Sequence, residues 1–202
     1  MRVLANTLGL AVLLLAPAEA RQLAVASVTP EGVACVFTKT CAVAVADSYG
    51  SVKLFGDGGA GRLLTRTYSG MPGTPAAGLT GYSFHLDMST SMALGSMNCV
   101  ERLVIDTGPL APLPYVPKGG NAEIFVVAGP GAIGPSSVTQ AGGKVTFSFA
   151  KPICPKVAGT GRPVVSESLY FGFAAKGEPV PAKAQVAGTM EGTTADVRVP
   201  KH

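Results

Sequence analysis

The chain has 202 residues, of which 47% are hydrophobic and only 14% charged, with a formal net charge of +4. Disorder requires the reverse balance, so this composition excludes a disordered chain. The Lys and Arg residues are scattered rather than gathered into a cationic stripe, which argues against a nucleic-acid partner.

The first twenty residues read as a secretory signal peptide. Arg2 gives a positive start and Ala18-Glu19-Ala20 a small-x-small cleavage pattern. Between them, Leu8 to Ala16 forms an apolar run of about nine residues. A bilayer span takes about twenty apolar residues, so this run is too short for a transmembrane anchor. The mature chain is expected to be one domain over residues 21–202, either secreted or periplasmic.

Four cysteines follow: Cys35, Cys41, Cys99 and Cys154. An even count in an exported chain predicts two disulfides. Of the three possible pairings, the spacing favours Cys35–Cys41 with Cys99–Cys154. The first closes a small loop around Thr38-Lys39-Thr40, and the second ties distant strands. There is no CxxC and no nearby His, so zinc-type spacing is absent.

Short apolar runs alternate with turn-rich segments, and the chain holds 26 Gly and 16 Pro. This predicts about ten strands, at 33–37, 42–46, 51–55, 82–89, 100–105, 123–128, 144–150, 165–174, 182–187 and 195–199. Alternation is clearest at 82–89. Tyr82, Phe84, Leu86 and Met88 fall on one face, and Ser83, His85, Asp87 and Ser89 on a face that reads as solvated. Val145, Phe147 and Phe149 repeat the pattern. So do Val165, Leu169, Phe171 and Phe173, with Gly172 leaving room for a bulge or a close neighbour. No segment shows a sustained helical period with caps. Residues 89–98 read as a loop or one helical turn. Segments 56–61, 69–81 and 107–120 read as turns and loops. The expected fold is all-β: a two-sheet antiparallel β-sandwich of jelly-roll or immunoglobulin-like form, with a closed barrel as the alternative.

Three groups of residues invite a chemical reading. Ser83, His85 and Asp87 suggest a triad, but side chains two apart on a strand stand side by side, whereas a nucleophile meets its base head-on. No G-x-S-x-G elbow is present. A histidine-dependent hydrolase would have to use His85, because the other histidine is the terminal His202. Residues 129–134 (GPGAIG) match a dinucleotide pattern, yet Pro135-Ser136-Ser137 follows where a helix is needed, so they read as a β-turn. Met88, Met92 and Met97, with His85, supply soft ligands suited to Cu(I). Their plainer role is core filling.

The segment Ser166–Val186 (SESLYFGFAAKGEPVPAKAQV) pairs a serine-aromatic-Phe-Gly strand with a proline-containing turn and an Ala/Val strand. Together with Asn98-Cys99-Val100, Val104–Gly108 and Gly131–Ser136, it resembles bacterial exported β-sandwich proteins of unknown function. Many of those carry a C-terminal surface-sorting tail, which is absent here. The resemblance implies the fold and the compartment and transfers no catalytic residue.

The expected function is therefore an exported, non-enzymatic structural or binding module with a cell-envelope or extracellular partner. The alternatives are a periplasmic copper-binding protein using Met88, Met92, Met97 and His85, and a hydrolase with an unrecognised site. No catalytic residue and no cofactor other than copper is expected.

Overall fold

The computed structural model describes residues 19–94, 97–115, 120–129, 131–157 and 165–202. The signal segment read at residues 1–20 lies outside these, apart from Glu19 and Ala20. In chain order come β1 (Arg21–Gln22), β2 (Val25–Val28), helix α1 (Pro30–Phe37), β3 (Ala46–Val52) and β4 (Asp57–Gly58). Next are β5 (Gly61–Ser69), β6 (Thr80–Asp87), β7 (Met92–Ala93), β8 (Val100–Asp106), β9 (Ile124–Val127) and β10 (Ser137–Ala141). The last are β11 (Lys144–Ile153), β12 (Lys156–Val157), β13 (Tyr170–Ala175), β14 (Pro179–Gly188) and β15 (Thr193–Pro200).

Two six-stranded sheets pack as a sandwich. The first has the order β1-β10-β11-β8-β14-β15, and the second β2-β9-β13-β6-β5-β3. Their pairs are antiparallel except β2 with β9. A small third sheet has the order β12-β7-β4. The sandwich expected from the sequence is thus observed, with fifteen strands among the described residues where ten were expected, four of them only two residues long.

The inter-sheet core is an aromatic interlock. Register sets Phe171 opposite Phe84 and Phe173 opposite Tyr82 within the second sheet. Phe147 on β11 meets Phe171 at 4.8 Å and Phe84 at 6.4 Å between ring centroids. All five rings are fully buried. Aromatic pairs at such distances add about 0.5–1.5 kcal/mol each beyond burial.

The N-terminal segment bridges the two sheets at one edge. Leu23 donates its N–H to Val138 O in the first sheet, and Ala24 O accepts from Glu123 N and Ile124 N in the second. Glu123 also accepts from Ala24 N at 2.8 Å and pairs with Arg21 at 2.6 Å. At the opposite edge β3 lies hard against β15. A Cβ on Gly50 would sit 2.6 Å from Asp196 N, so only glycine permits this approach.

Residues 33–37 form helix rather than the strand expected. The run VACVF is β-branched and apolar, which suits a strand, but local capping wins. Thr29 accepts from Gly32 N at 3.0 Å, Pro30 opens the first turn and Glu31 sits within it. These are standard helix-start signals. The expected strand at 42–46 is displaced: residues 42–45 run without regular pairing, and β3 begins at Ala46. The 51–55 strand ends at Val52, and part of 89–98 forms β7. Strand β5 has no counterpart among the ten expected strands, because both its faces are largely buried and it lacks alternation. Within segment 129–134, residue 130 lies outside the described residues; among the described residues that come after it, β10 follows at Ser137 where a dinucleotide fold would need a helix. Among the described residues no helix is long and apolar enough to cross a membrane.

Both expected disulfides are formed, Cys35–Cys41 and Cys99–Cys154. Their sequence separations are 6 and 55. Loop-closure entropy assigns about 2 kcal/mol to the short loop and about 4 kcal/mol to the long one. Replacing Cys99 and Cys154 by Ala is therefore expected to lower the urea midpoint about twice as far as replacing Cys35 and Cys41. Equal shifts in paired denaturation curves would overturn that ranking.

Candidate functional site

The second sheet has two covered faces. One faces the aromatic core. The other carries α1 and a smaller cluster that includes Val33, Phe37, Tyr68, Tyr115, Phe125 and Val127. Phe37 meets Tyr68 edge-on at 4.7 Å, and Tyr115 meets Phe125 at 5.2 Å. Helix α1 covers only part of this face. Beside it lies a row fixed by register: Asp47 on β3, Arg66 on β5, Ser83 on β6, Gly172 on β13 and Phe125 on β9. Gly172 has the close neighbour expected for it, since a Cβ there would lie 2.7 Å from the Phe125 ring. The adjacent row holds Tyr49, Leu64 and His85, with Tyr170 and Val127 paired on the far strands.

Arg66 is the anchor of this surface. Its Nε donates to Asp47 Oδ1 at 2.8 Å and its Nη2 to Asp47 Oδ2 at 2.9 Å. This bidentate geometry is the strong form of the pair. Hydrogen bonding from Arg66 holds the Asp47 carboxyl below its ordinary pKa against the opposing effect of burial, and Asp47 raises that of Arg66. The guanidinium also lies 5.4 Å from the centroid of the Tyr170 ring, a cation–π distance. Tyr170 in turn stacks on His85, with centroids 4.7 Å apart and planes 24° apart.

The polar face of β6 is not solvated as expected. Ser83 and His85 are buried, His85 with 8% exposure. Tyr170 covers the imidazole. His85 Nε2 lies 3.8 Å from Glu167, and Nδ1 makes no hydrogen bond. Burial pulls the His85 pKa down, opposed by the Ser168 backbone and by the carboxylates of Glu167 and Asp87. Asp87 accepts from Ser89 N at 2.8 Å and from Arg62 at 3.3 Å, rather than orienting His85. The three residues thus stand in line and form no relay.

A pocket of about 260 Å³ opens between α1 and this face. Pro30, Val33 and Ala34 form its helical wall, and Val43 and Val45 flank it. Phe125, Val127 and Tyr170 line the sheet side, where Arg66, Tyr68 and Ser83 bring polar atoms. Burial raises the Tyr68 pKa well above the ordinary value, so its phenol stays protonated.

Met88 belongs to the inter-sheet core, on the face of the second sheet opposite to His85. Met92, on β7, and Met97 are 43% and 42% exposed. Among the described residues, no three His, Cys, Asp or Glu side chains group to hold a metal ion.

Sequence reasoning placed Ser83 and His85 on one strand face but missed Arg66, Asp47, Tyr68 and Tyr170. Without β5 as a strand, nothing linked Arg66 to Ser83. No protein-family model, curated protein or solved structure matches the chain.

His85 gives a pH signature. Its folded pKa lies below the ordinary value of 6.5, so the unfolded chain binds the proton first as pH falls. Its contribution is complete above that value and declines below it. Asp47, Asp87 and Glu123 have lowered pKa values, so their contributions are lost only under more acidic conditions, below about pH 4. His85→Gln is expected to flatten the fall in Tm between about pH 7 and about pH 5. Thermal melts across that window check it, and an unchanged slope would assign the titration to another group.

Proposed function

We propose that the protein is an exported, non-enzymatic binding module of the cell envelope or extracellular space, with its ligand seated in the pocket beside α1. The observation that carries this reading is the pocket's make-up. Its walls are mostly apolar, and two of its polar side chains, Arg66 and Tyr170, are held by neighbours, the usual pattern of a small-molecule site. Arg66 is fixed by Asp47, and Tyr170 is packed between Arg66 and His85. A rigid scaffold with two disulfides supports such a role outside the cytoplasm, and the signal-like first twenty residues agree with that address. The resemblance of residues 98–186 to exported β-sandwich proteins points the same way.

Production with the first twenty residues in an exporting host tests the address. The recovered mass is expected to begin at Arg21 and to be lighter than the reduced form by about four hydrogens. Free thiols would sink the export reading. A screen of small amphipathic fragments by ligand-observed NMR tests the pocket. Binders are expected to compete for one site that Ala34→Phe closes. Binders indifferent to that substitution would remove the pocket from the account.

A further inference from the structure

We infer that the pocket takes a small organic monocarboxylate, its apolar body against α1 and β9 and its carboxylate on the open edge of Arg66. This inference rests on the binding-module reading above and names the ligand class. Four observations carry it.

The first is size. About 260 Å³ falls below the roughly 300–1,000 Å³ of sites for drug-sized ligands, so the occupant is small. The second is the wall. Val33, Ala34, Phe125 and Val127 have hydrocarbon side chains, which suits a short chain or a single ring.

The third is the direction of the hydrogen bonds. Arg66 carries five N–H donors and gives one from Nε and one from Nη2 to Asp47. Asp47 takes only the Nε and Nη2 donors, which leaves Nη1 outside that pair. Tyr68 and Ser83, which line the same space, each carry a hydroxyl. The side chains that bring polar atoms to the pocket are therefore all able to donate, and a head group that only accepts is their complement. A carboxylate is such a group, and planar guanidinium edges match its two oxygens.

The fourth is charge and preorganisation. Asp47 neutralises Arg66 in sum, while its bidentate grip and the Tyr170 ring hold the guanidinium plane. One anionic charge can be met by oriented donors there. A dianion would face Asp47 without a second cation in the pocket lining, and a cationic head would face Arg66. Orienting the donors beforehand removes part of the ordering cost of binding.

The test titrates the full oxidised chain with benzoate, hexanoate, benzyl alcohol, hexanol and phenyl phosphate, followed by amide shifts. Benzoate or hexanoate is expected to shift Ser83, Val127 and Tyr170 and to bind about tenfold more tightly than the matching alcohol. Arg66→Gln is expected to erase that difference. Ala34→Phe, which fills the space from the helix and leaves the ion pair untouched, is expected to abolish binding. Should Arg66→Gln fail to fold, the acid–alcohol comparison on the unaltered chain still decides the matter. Alcohols binding as tightly as acids at those residues would overturn the carboxylate inference and leave the binding-module reading standing. Phenyl phosphate matching benzoate would overturn the preference for a single charge. Shifts absent from the pocket with every probe would overturn both readings.

Discussion

The structure depends on the burial of the second sheet on both faces. Strands β9, β13, β6 and β5 carry one set of side chains into the inter-sheet core and another beneath α1 and its neighbours. Phe171, Phe173 and Phe84 point one way, while Phe125, Tyr68 and Val127 point the other. A sheet covered twice forms a rigid floor, and the pocket exists because the second cover is incomplete. Eight residues of helix do not reach across six strands.

That cover is itself marginal as a local structure. Isolated helices shorter than about 12–15 residues are unstable in water, so α1 is held by its surroundings. Thr29 caps its start, and the Cys35–Cys41 bridge ties its last turn. The loop between β5 and β6 takes up carbonyls at its C-terminal end: Phe37 O accepts from Met71 N, and Val36 O from Ala76 N. Phe37 then seals against Tyr68. Each restraint acts on one short element, so the helical wall of the pocket is positioned by contacts lying outside the pocket.

Double burial also explains which parts of the fold could be read from residues. Strand β11 alternates Val145, Phe147 and Phe149 with polar neighbours because only one of its faces is fully covered, and the pattern was plain. In β5 the adjacent Leu63, Leu64 and Thr65 are all buried, so the period of two vanishes. In β6 the alternation is intact, but its polar side reads as a solvated surface although both of its faces are buried. Ser83 and His85 are polar because they meet Arg66, Tyr170 and a pocket, not because they meet water. The helix is hidden for a different reason: the β-branched run 33–37 reads as a strand by itself, and the residues that decide for helix, Thr29, Pro30 and Glu31, lie ahead of that run. The disulfides were legible because count and spacing alone constrain them.

The Arg66–Asp47 pair shows how stability and placement separate. Each side chain keeps about a third of its surface in water, at 33% and 27% exposure. Pairs so exposed contribute about 0–1 kcal/mol, little beside the aromatic core or the long disulfide. Its larger consequence is geometric. Two hydrogen bonds fix the guanidinium plane, Tyr170 packs against it, and His85 backs Tyr170 from within the sheet. A positive group thus stands in a fixed orientation at the edge of an apolar pocket, on a face that the sandwich does not need to keep polar in order to fold. The fold's stability comes from the aromatic interlock and the disulfides, and this row is left free to define what the pocket can hold.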